Sequence, residues 1–548
     1  MDLGAEIFRV DPKRQDLFSI NSMVLAVWLI FLVQGFFYAA FMPAWEGFDE
    51  PYHLGYVDLI SRTGRLPVFG ASRLALEIQH SFYSLPNPRW LWPNSGKVYG
   101  DPEIPDVGPV DPNVQPLPLY EAHQPPLYYL LMWAPYRLLE SQSVLSRLFS
   151  VRFCSVLLAS FFVFPAVRLI HELIPSRIAQ VLTLFAIVTF PALYIDIARV
   201  GNDSLGVFVY TLLCYRVVLL SKNSSTRNCI WTGAVLGLGL LTKMYFMAAF
   251  VSILILGCVK FSQTRGDRLR ILKGYSLAIL IALAIASPWF IRNYHFWGRP
   301  LLTSEIVGLS HISTKAWIHQ AIRMPWLRQF DVSFRSFIWV GGWNFLVLPK
   351  SVYDFFKIFF LIITLGGVMQ FVRNTRSAMN SMRIPLLFVA SFLFALMGFL
   401  VSVYMVGGLL GGCGWYVYAL VVPITIIMVT GIGGISSNPG TTNRCALVVI
   451  VSLALTNTYG VFLRLIPFYT SYPSGTFSLT EKTRFLLSKP LQNLEIMSSR
   501  LAPYKPECFT PHFYFISSLL FLFAVVASAV MPLIQTSKES KASVKRRF

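Results

Sequence analysis

Residues 22–55 read SMVLAVWLIFLVQGFFYAAFMPAWEGFDEPYHLG: an unbroken apolar run from Ser22 to Met42, then two adjacent carboxylates, Asp49 and Glu50. A helix of this length crosses a hydrocarbon core of about 30 Å. Arg9, Lys13 and Arg14 precede the run, and no small-residue cleavage site succeeds it. The run therefore reads as a retained first span with its basic end inside, which places Pro43 and the loop beyond it outside.

The same pattern recurs along all 548 residues. The chain is 55% hydrophobic and only 13% charged, with mean hydropathy +0.58. Soluble chains carry about 25% charged residues, so this composition excludes a soluble enzyme, a disordered chain and a disulfide scaffold. The seven Cys read as small buried hydrophobes. Further candidate spans are 149–170, 178–197, 205–220, 274–291, 355–372, 384–405, 415–434, 446–463 and 513–534. The stretch 229–259 is too long for one untilted crossing and reads as a hairpin turning near Thr242-Lys243. The expected architecture is an all-α polytopic membrane protein of about twelve spans.

Charge sorts by side. The formal net charge is +20, yet residues 43–147 hold eleven acidic and seven basic residues. The basic segments 171–177, 221–228, 260–273, 373–383, 435–445 and the tail all fall inside under this count. The positive charge is thus a topology signal and does not point to nucleic acid. Leu127 to Leu139 is short, comes after two prolines and contains Pro135; it suits a re-entrant or interfacial helix. Three outer segments remain: 43–147, 298–352 and 464–511. Loops of such length are usually functional.

Two clusters carry possible chemistry. In Trp45-Glu-Gly-Phe-Asp-Glu-Pro-Tyr-His53 the carboxylates lie just beyond the first span. Carboxylates there suit a general base, a metal ligand or an ion gate; the plainer reading is that Asp49 caps a helix opened by Pro51. The second cluster, Tyr120-Glu-Ala-His-Gln-Pro-Pro-Leu-Tyr-Tyr129, is a proline-stiffened turn entering the short apolar helix.

Together these clusters resemble the GT-C membrane glycosyltransferases, of the protein O-mannosyltransferase and lipid A aminoarabinose transferase type. Asn202-Asp-Ser-Leu205, Gly237-Leu-Gly-Leu-Leu-Thr-Lys243 and Ser287-Pro-Trp-Phe-Ile-Arg-Asn-Tyr294 extend the resemblance over residues 20–300. Gln124 stands where some relatives carry Lys before Pro-Pro, and the Trp-Trp-Asp-Tyr signature of oligosaccharyltransferases is missing.

The resemblance implies a GT-C core over 1–300, including the extracytoplasmic loop 43–147 with juxtamembrane helices, and a variable region over 301–548. It implies an inverting transfer of sugar from a polyprenyl-phosphate donor to a lipid, glycan or protein hydroxyl. Asp49 is expected as base with Glu50 as partner. His53, His123, Gln124, Arg199, Asn202, Asp203, Lys243 and Arg292 are expected to bind substrate. The cations among them would meet the phosphate, and Asp203 reads equally as the cap of its own helix. Asp49, Asp203 and His53 are candidates for a divalent cation (Mn, Mg or Zn). The membrane would be a bacterial inner membrane with the site outside, or endoplasmic reticulum with the site in the lumen. The competing expectations are a transporter or flippase of lipid-linked substrates and a non-enzymatic scaffold; the lack of an internal repeat weighs against paired-repeat transport.

Overall fold

A computed structural model describes residues 12–85, 115–264, 266–309, 311–373, 376–408, 410–436, 438–473 and 478–545. Arg9, the acidic stretch at 101–111 and Arg265 lie outside the described residues.

The described chain is helical, its only pairing of extended segments being the bridge Arg73–Pro118. α1 (Pro12–Phe41) leads into α2 (Glu50–Thr63), α3 (Leu76–Ser84) and, after a short 3₁₀ turn at Tyr120–His123, α4 (Leu127–Leu138). Next come α5 (Val144–Ser160), α6 (Val163–Leu173), α7 (Arg177–Ile187), α8 (Pro191–Ile197), α9 (Asp203–Lys222), α10 (Thr226–Leu240), α11 (Phe246–Gln263) and α12 (Arg268–Trp297). Three short helices, α13 (Ser304–Gly308), α14 (Thr314–Arg323) and α15 (Trp326–Ile338), precede α16 (Lys350–Val372) and α17 (Arg376–Gly407). The last are α18 (Val421–Ile435), α19 (Pro439–Gly460), α20 (Ile466–Tyr469), α21 (Leu479–Ser488), α22 (Pro490–Leu501) and α23 (Pro511–Lys545).

Local chemistry sets the helix ends. Ser143, Ser176, Ser225 and Ser313 each accept a backbone N–H at the start of α5, α7, α10 and α14, satisfying donors the helix leaves free. Ser478 and Glu481 form a reciprocal capping box on α21. Gly64 and Gly298 end α2 and α12 in the left-handed conformation. α10 lies along α12 through Gly233 and Gly237; a Cβ at Gly237 would stand 2.8 Å from Ile285 Cβ. Small residues allow this close approach where lipid offers no hydrophobic drive between helices.

Among the described residues ten helical segments are long and apolar enough to cross a membrane, or eleven if α7 and α8, bent by 53°, form one broken span. The chain is an integral multi-pass membrane protein. The expected count of twelve is not established. The hairpin is present, with α10 and α11 turning at 241–245, but the 15 residues of α10 rise only about 22 Å, short of a full crossing. Leu127–Leu138 forms the short helix expected there and lies against α2 and α5.

Candidate active site

The turn from Met42 to Glu50 is held from below by cations. Arg152 of α5, wholly buried, donates to the carbonyls of Ala39, Met42 and Pro43 at 3.4, 2.8 and 2.8 Å. Lys505 donates to those of Ala40 and Phe41 at 2.6 and 2.5 Å, and the Tyr514 hydroxyl to Ala40 at 3.0 Å. Ala39, Ala40 and Phe41 carry carbonyls that the end of α1 leaves without helical partners, and the Arg152 guanidinium complements its negative pole.

Glu50 has no exposed surface. Its Oε1 accepts from Arg152 Nε at 2.7 Å and Val200 N at 3.0 Å; its Oε2 accepts from Arg152 at 2.6 Å and Trp45 N at 3.1 Å. Both oxygens are thus committed to the protein. The expected part of Glu50 as a partner in the chemistry is corrected: the geometry makes it an anchor tying α1, α2, α5 and the 198–202 turn together.

Asp49 differs in every respect. It sits at φ 59°, ψ 13°, a left-handed conformation uncommon for a residue with a side chain. Its side chain makes no cap bond to α2, so the capping reading fails. Backbone strain of this kind gathers at functional positions. Arg199 Nη1 holds the preceding carbonyl, of Phe48, at 2.7 Å, and the Phe48 ring lies 5.8 Å below the guanidinium. Asp49 faces a cavity of about 280 Å³.

One wall of that cavity is polar: Asp49, Tyr120, Glu121, His123, Gln124 and Lys243. The other is apolar, built by Ala248 of α11 and Phe392, Ala395, Leu396 and Phe399 of α17. Burial raises the Asp49 carboxyl above its usual range; a hydrogen bond from Tyr120 and the charges of Arg199 and Lys243 offset part of this. Glu121 is pushed up to about 8, by burial first and then by the neighbouring Asp49.

Lys243 stands at the α10–α11 turn, 2.6 Å from Asp203 Oδ1 and between the rings of Tyr245 and Tyr416, 5.6 and 4.7 Å from their centroids. Arg199 bridges Asp196 and Asp203 at 2.8 and 2.7 Å. Asn202 donates to Gln124 Oε1 at 3.0 Å and to the carbonyl of Thr242 at 3.1 Å, joining the three turns. His123 Nδ1–H donates to the Tyr120 carbonyl at 2.6 Å, and burial keeps its ring below the ordinary imidazole range.

The structure therefore brings Asp49, His123, Gln124 and Lys243 to one cavity, with Arg199, Asn202 and Asp203 directly behind them. It leaves two expected residues elsewhere. His53 lies within α2, its Nδ1 2.8 Å from the Tyr129 hydroxyl, and burial holds it well below the usual range. Arg292 donates to the carbonyls of Leu66 and Pro67 at 3.2 and 2.7 Å and stacks on Trp289 and Phe296; it does not line the cavity. Asp49, Asp203 and His53 do not assemble as a metal site, because Asp203 is spent on two cations and His53 on Tyr129. Among the described residues no three His, Cys, Asp or Glu side chains stand close enough to hold a metal.

Sequence reasoning missed Arg152, Glu121, Tyr245 and Tyr416. An arginine inside an apolar span was itself a signal, and Glu121 lies within the Tyr120–Tyr129 cluster; the two tyrosines gave none that periodicity or spacing could read.

The sequence model of the dolichyl-phosphate-mannose-protein mannosyltransferase family matches residues 123–291. Over these residues the chain is similar to that family of membrane glycosyltransferases. The matched region runs from His123 to Ile291 and contains Arg199, Asn202, Asp203 and Lys243, while Asp49 and Glu50 lie ahead of it. Among solved structures, ArnT from Cupriavidus metallidurans bound to undecaprenyl phosphate aligns with TM-score 0.44 and 13% identity over 95% of this chain and 78% of its own. The apo state of the same protein gives the same score and identity over 94% and 78%. An oligosaccharyltransferase of Archaeoglobus fulgidus aligns with TM-score 0.37 and 13% identity over 87% and 59%. No curated protein matches this sequence.

Proposed function

We propose that this protein is a GT-C transferase that moves a sugar from a polyprenyl-phosphate donor to an acceptor hydroxyl by a single displacement that inverts the anomeric carbon. The observation that carries this reading is Asp49: a strained, uncapped carboxylate in a cavity with one polar wall and one apolar wall made by two candidate spans. A lipid-linked sugar has the same division, an apolar tail joined to a polar head.

In this reading Asp49 takes the proton from the acceptor hydroxyl as that oxygen attacks the anomeric carbon. The bond to the phosphate oxygen breaks, and the phosphate leaves on its lipid. Lys243, held between two aromatic rings, supplies positive charge as the leaving group develops its own. Arg199 keeps the Phe48 carbonyl, and so Asp49, in place. The sidedness of the basic loops supports a cavity that opens on the extracytoplasmic side of the membrane.

The test is Asp49→Asn. The amide keeps the size of the side chain but cannot accept a proton, so transfer from a polyprenyl-phosphate sugar should fall at least ~100-fold while folding and yield stay as in the parent. Ordinary transfer by this variant would remove Asp49 as the base.

A further inference from the structure

Glu121 is unused in the steps above, yet it borders the same cavity. Its side chain is 5% exposed, and its Oε2 finds no hydrogen-bond partner among the described residues. A buried carboxylate oxygen without a donor is costly. The cost rises with a second carboxyl, Asp49, on the same wall. The groups facing Glu121 divide the charge unevenly. Arg199 and Lys243 favour ionisation of both carboxyls, Tyr120 adds a hydrogen bond to Asp49 and Gln124 one to Glu121, but at Glu121 burial and the neighbouring Asp49 outweigh them. The same wall carries neutral His123 and Gln124, with Glu305 of α13 and Thr303 near by. Tyr129 is buried behind. When two titratable groups in one site are pushed apart, one serves as base and the other as acid.

We infer that Glu121 is a substrate-binding residue that acts as a neutral carboxylic acid, exchanging hydrogen bonds with a hydroxyl of the sugar on the lipid-linked donor. A neutral carboxyl both donates and accepts, as a sugar hydroxyl does. Phosphate oxygens only accept, and Lys243 is the cation placed for them. Glu121 thus reads the sugar and leaves the phosphate to others. Its proton is required: above about 8 the group ionises, the donated bond is lost, and a second negative charge joins Asp49. Tyr120 sits well above the ordinary phenol range and His123 below the ordinary imidazole range, so neither titrates in the interval between pH 7 and 9.

This inference rests on the proposed function, and one experiment separates the two. The full chain in nanodiscs is titrated with bare polyprenyl phosphate and with polyprenyl phosphates bearing a hexose, a pentose or an amino sugar. The parent should bind bare lipid and bind one sugar-linked lipid more tightly at pH 7. Glu121→Ala should erase that margin, a loss of roughly 5- to 10-fold, and leave bare lipid unchanged. In the parent the margin should shrink as pH passes about 8, whereas Glu121→Gln should hold it through pH 9. Equal weakening of bare and sugar-linked lipid by Glu121→Ala, no margin for any sugar in the parent, or a Glu121→Gln profile that falls like the parent's would each overturn the assignment of Glu121. No binding of bare lipid by the parent would overturn the proposed function, and this inference with it.

Discussion

Asp49 and Glu50 are neighbours in sequence and opposites in role. Glu50 is wholly buried and saturated by Arg152 and two backbone donors. Removing one member of a buried pair leaves the other charge unpaired, at a cost of about 3–5 kcal/mol. Glu50→Ala should therefore cut the yield of folded protein and lower the unfolding temperature in detergent, a defect that Asp49→Asn does not share. If both variants fold equally well, the anchoring role of Glu50 is wrong. The charge around Asp49 gives a second expectation, on pH. Burial raises its pKa, while Arg199 and Lys243 lower it. The base must be ionised, so activity is lost as pH falls through a value above the usual ~4 of an exposed Asp. Lys243→Met removes a charge that favours the carboxylate and frees Asp203 to oppose it. The acid limb of the rate profile should then move to higher pH, whatever happens to the absolute rate. A limb that stays in place or moves down would show that Lys243 does not act on Asp49.

At the scale of elements, the α10–α11 hairpin delivers Lys243 to the cavity, and its position depends on how closely α10 lies against α12. Gly237 sets that distance, with Ile285 Cβ 2.8 Å and the Ala282 carbonyl 3.0 Å from where its Cβ would stand. Gly237→Leu must push the helices apart, at a cost of roughly 1–3 kcal/mol. It should lower thermal stability and displace the 241–245 turn, so that donor affinity falls too. Unchanged affinity in a destabilised protein would mean the turn is held by Asn202 and Asp203 alone. The hairpin was readable from length and charge pattern; the short reach of α10 was not, because the sequence does not say where a helix stops once apolar residues continue past it.

Across the whole molecule, distant segments converge under the first turn. Lys505 and Tyr514 come from the far end of the chain, yet they bond the last carbonyls of α1. Glu46, buried in the same turn, accepts from Asn344 at 2.7 Å and from Tyr469 at 3.1 Å. All three of the long polar segments recognised in the sequence thus meet at the 42–50 turn. Lys505→Met deletes two hydrogen bonds to these carbonyls, each contributing about 0.5–1.5 kcal/mol in comparable settings. The midpoint of thermal unfolding should fall and transfer should weaken, while Lys505→Arg, which keeps N–H donors at this position, should recover much of both. Parent-like stability in the Met variant would show that the C-terminal region does not brace the turn.

Sequence alone determined that this chain carries many apolar helices able to cross a membrane; it also gave the expectation that the charges sort by side and, through the family resemblance, that Asp49, His123, Gln124, Asn202, Asp203 and Lys243 belong to one region. Those properties stem from hydropathy, charge and short motifs, which are local. Tertiary structure decided which acid is free and which is fixed, that Arg292 and His53 stand apart, and that Glu121 shares a wall with Asp49. Such distinctions depend on partners brought from a hundred or more residues away, as Arg152 is to Glu50. A side chain's charge state and availability are set by the field and the donors around it in space, and no periodicity in the chain encodes them.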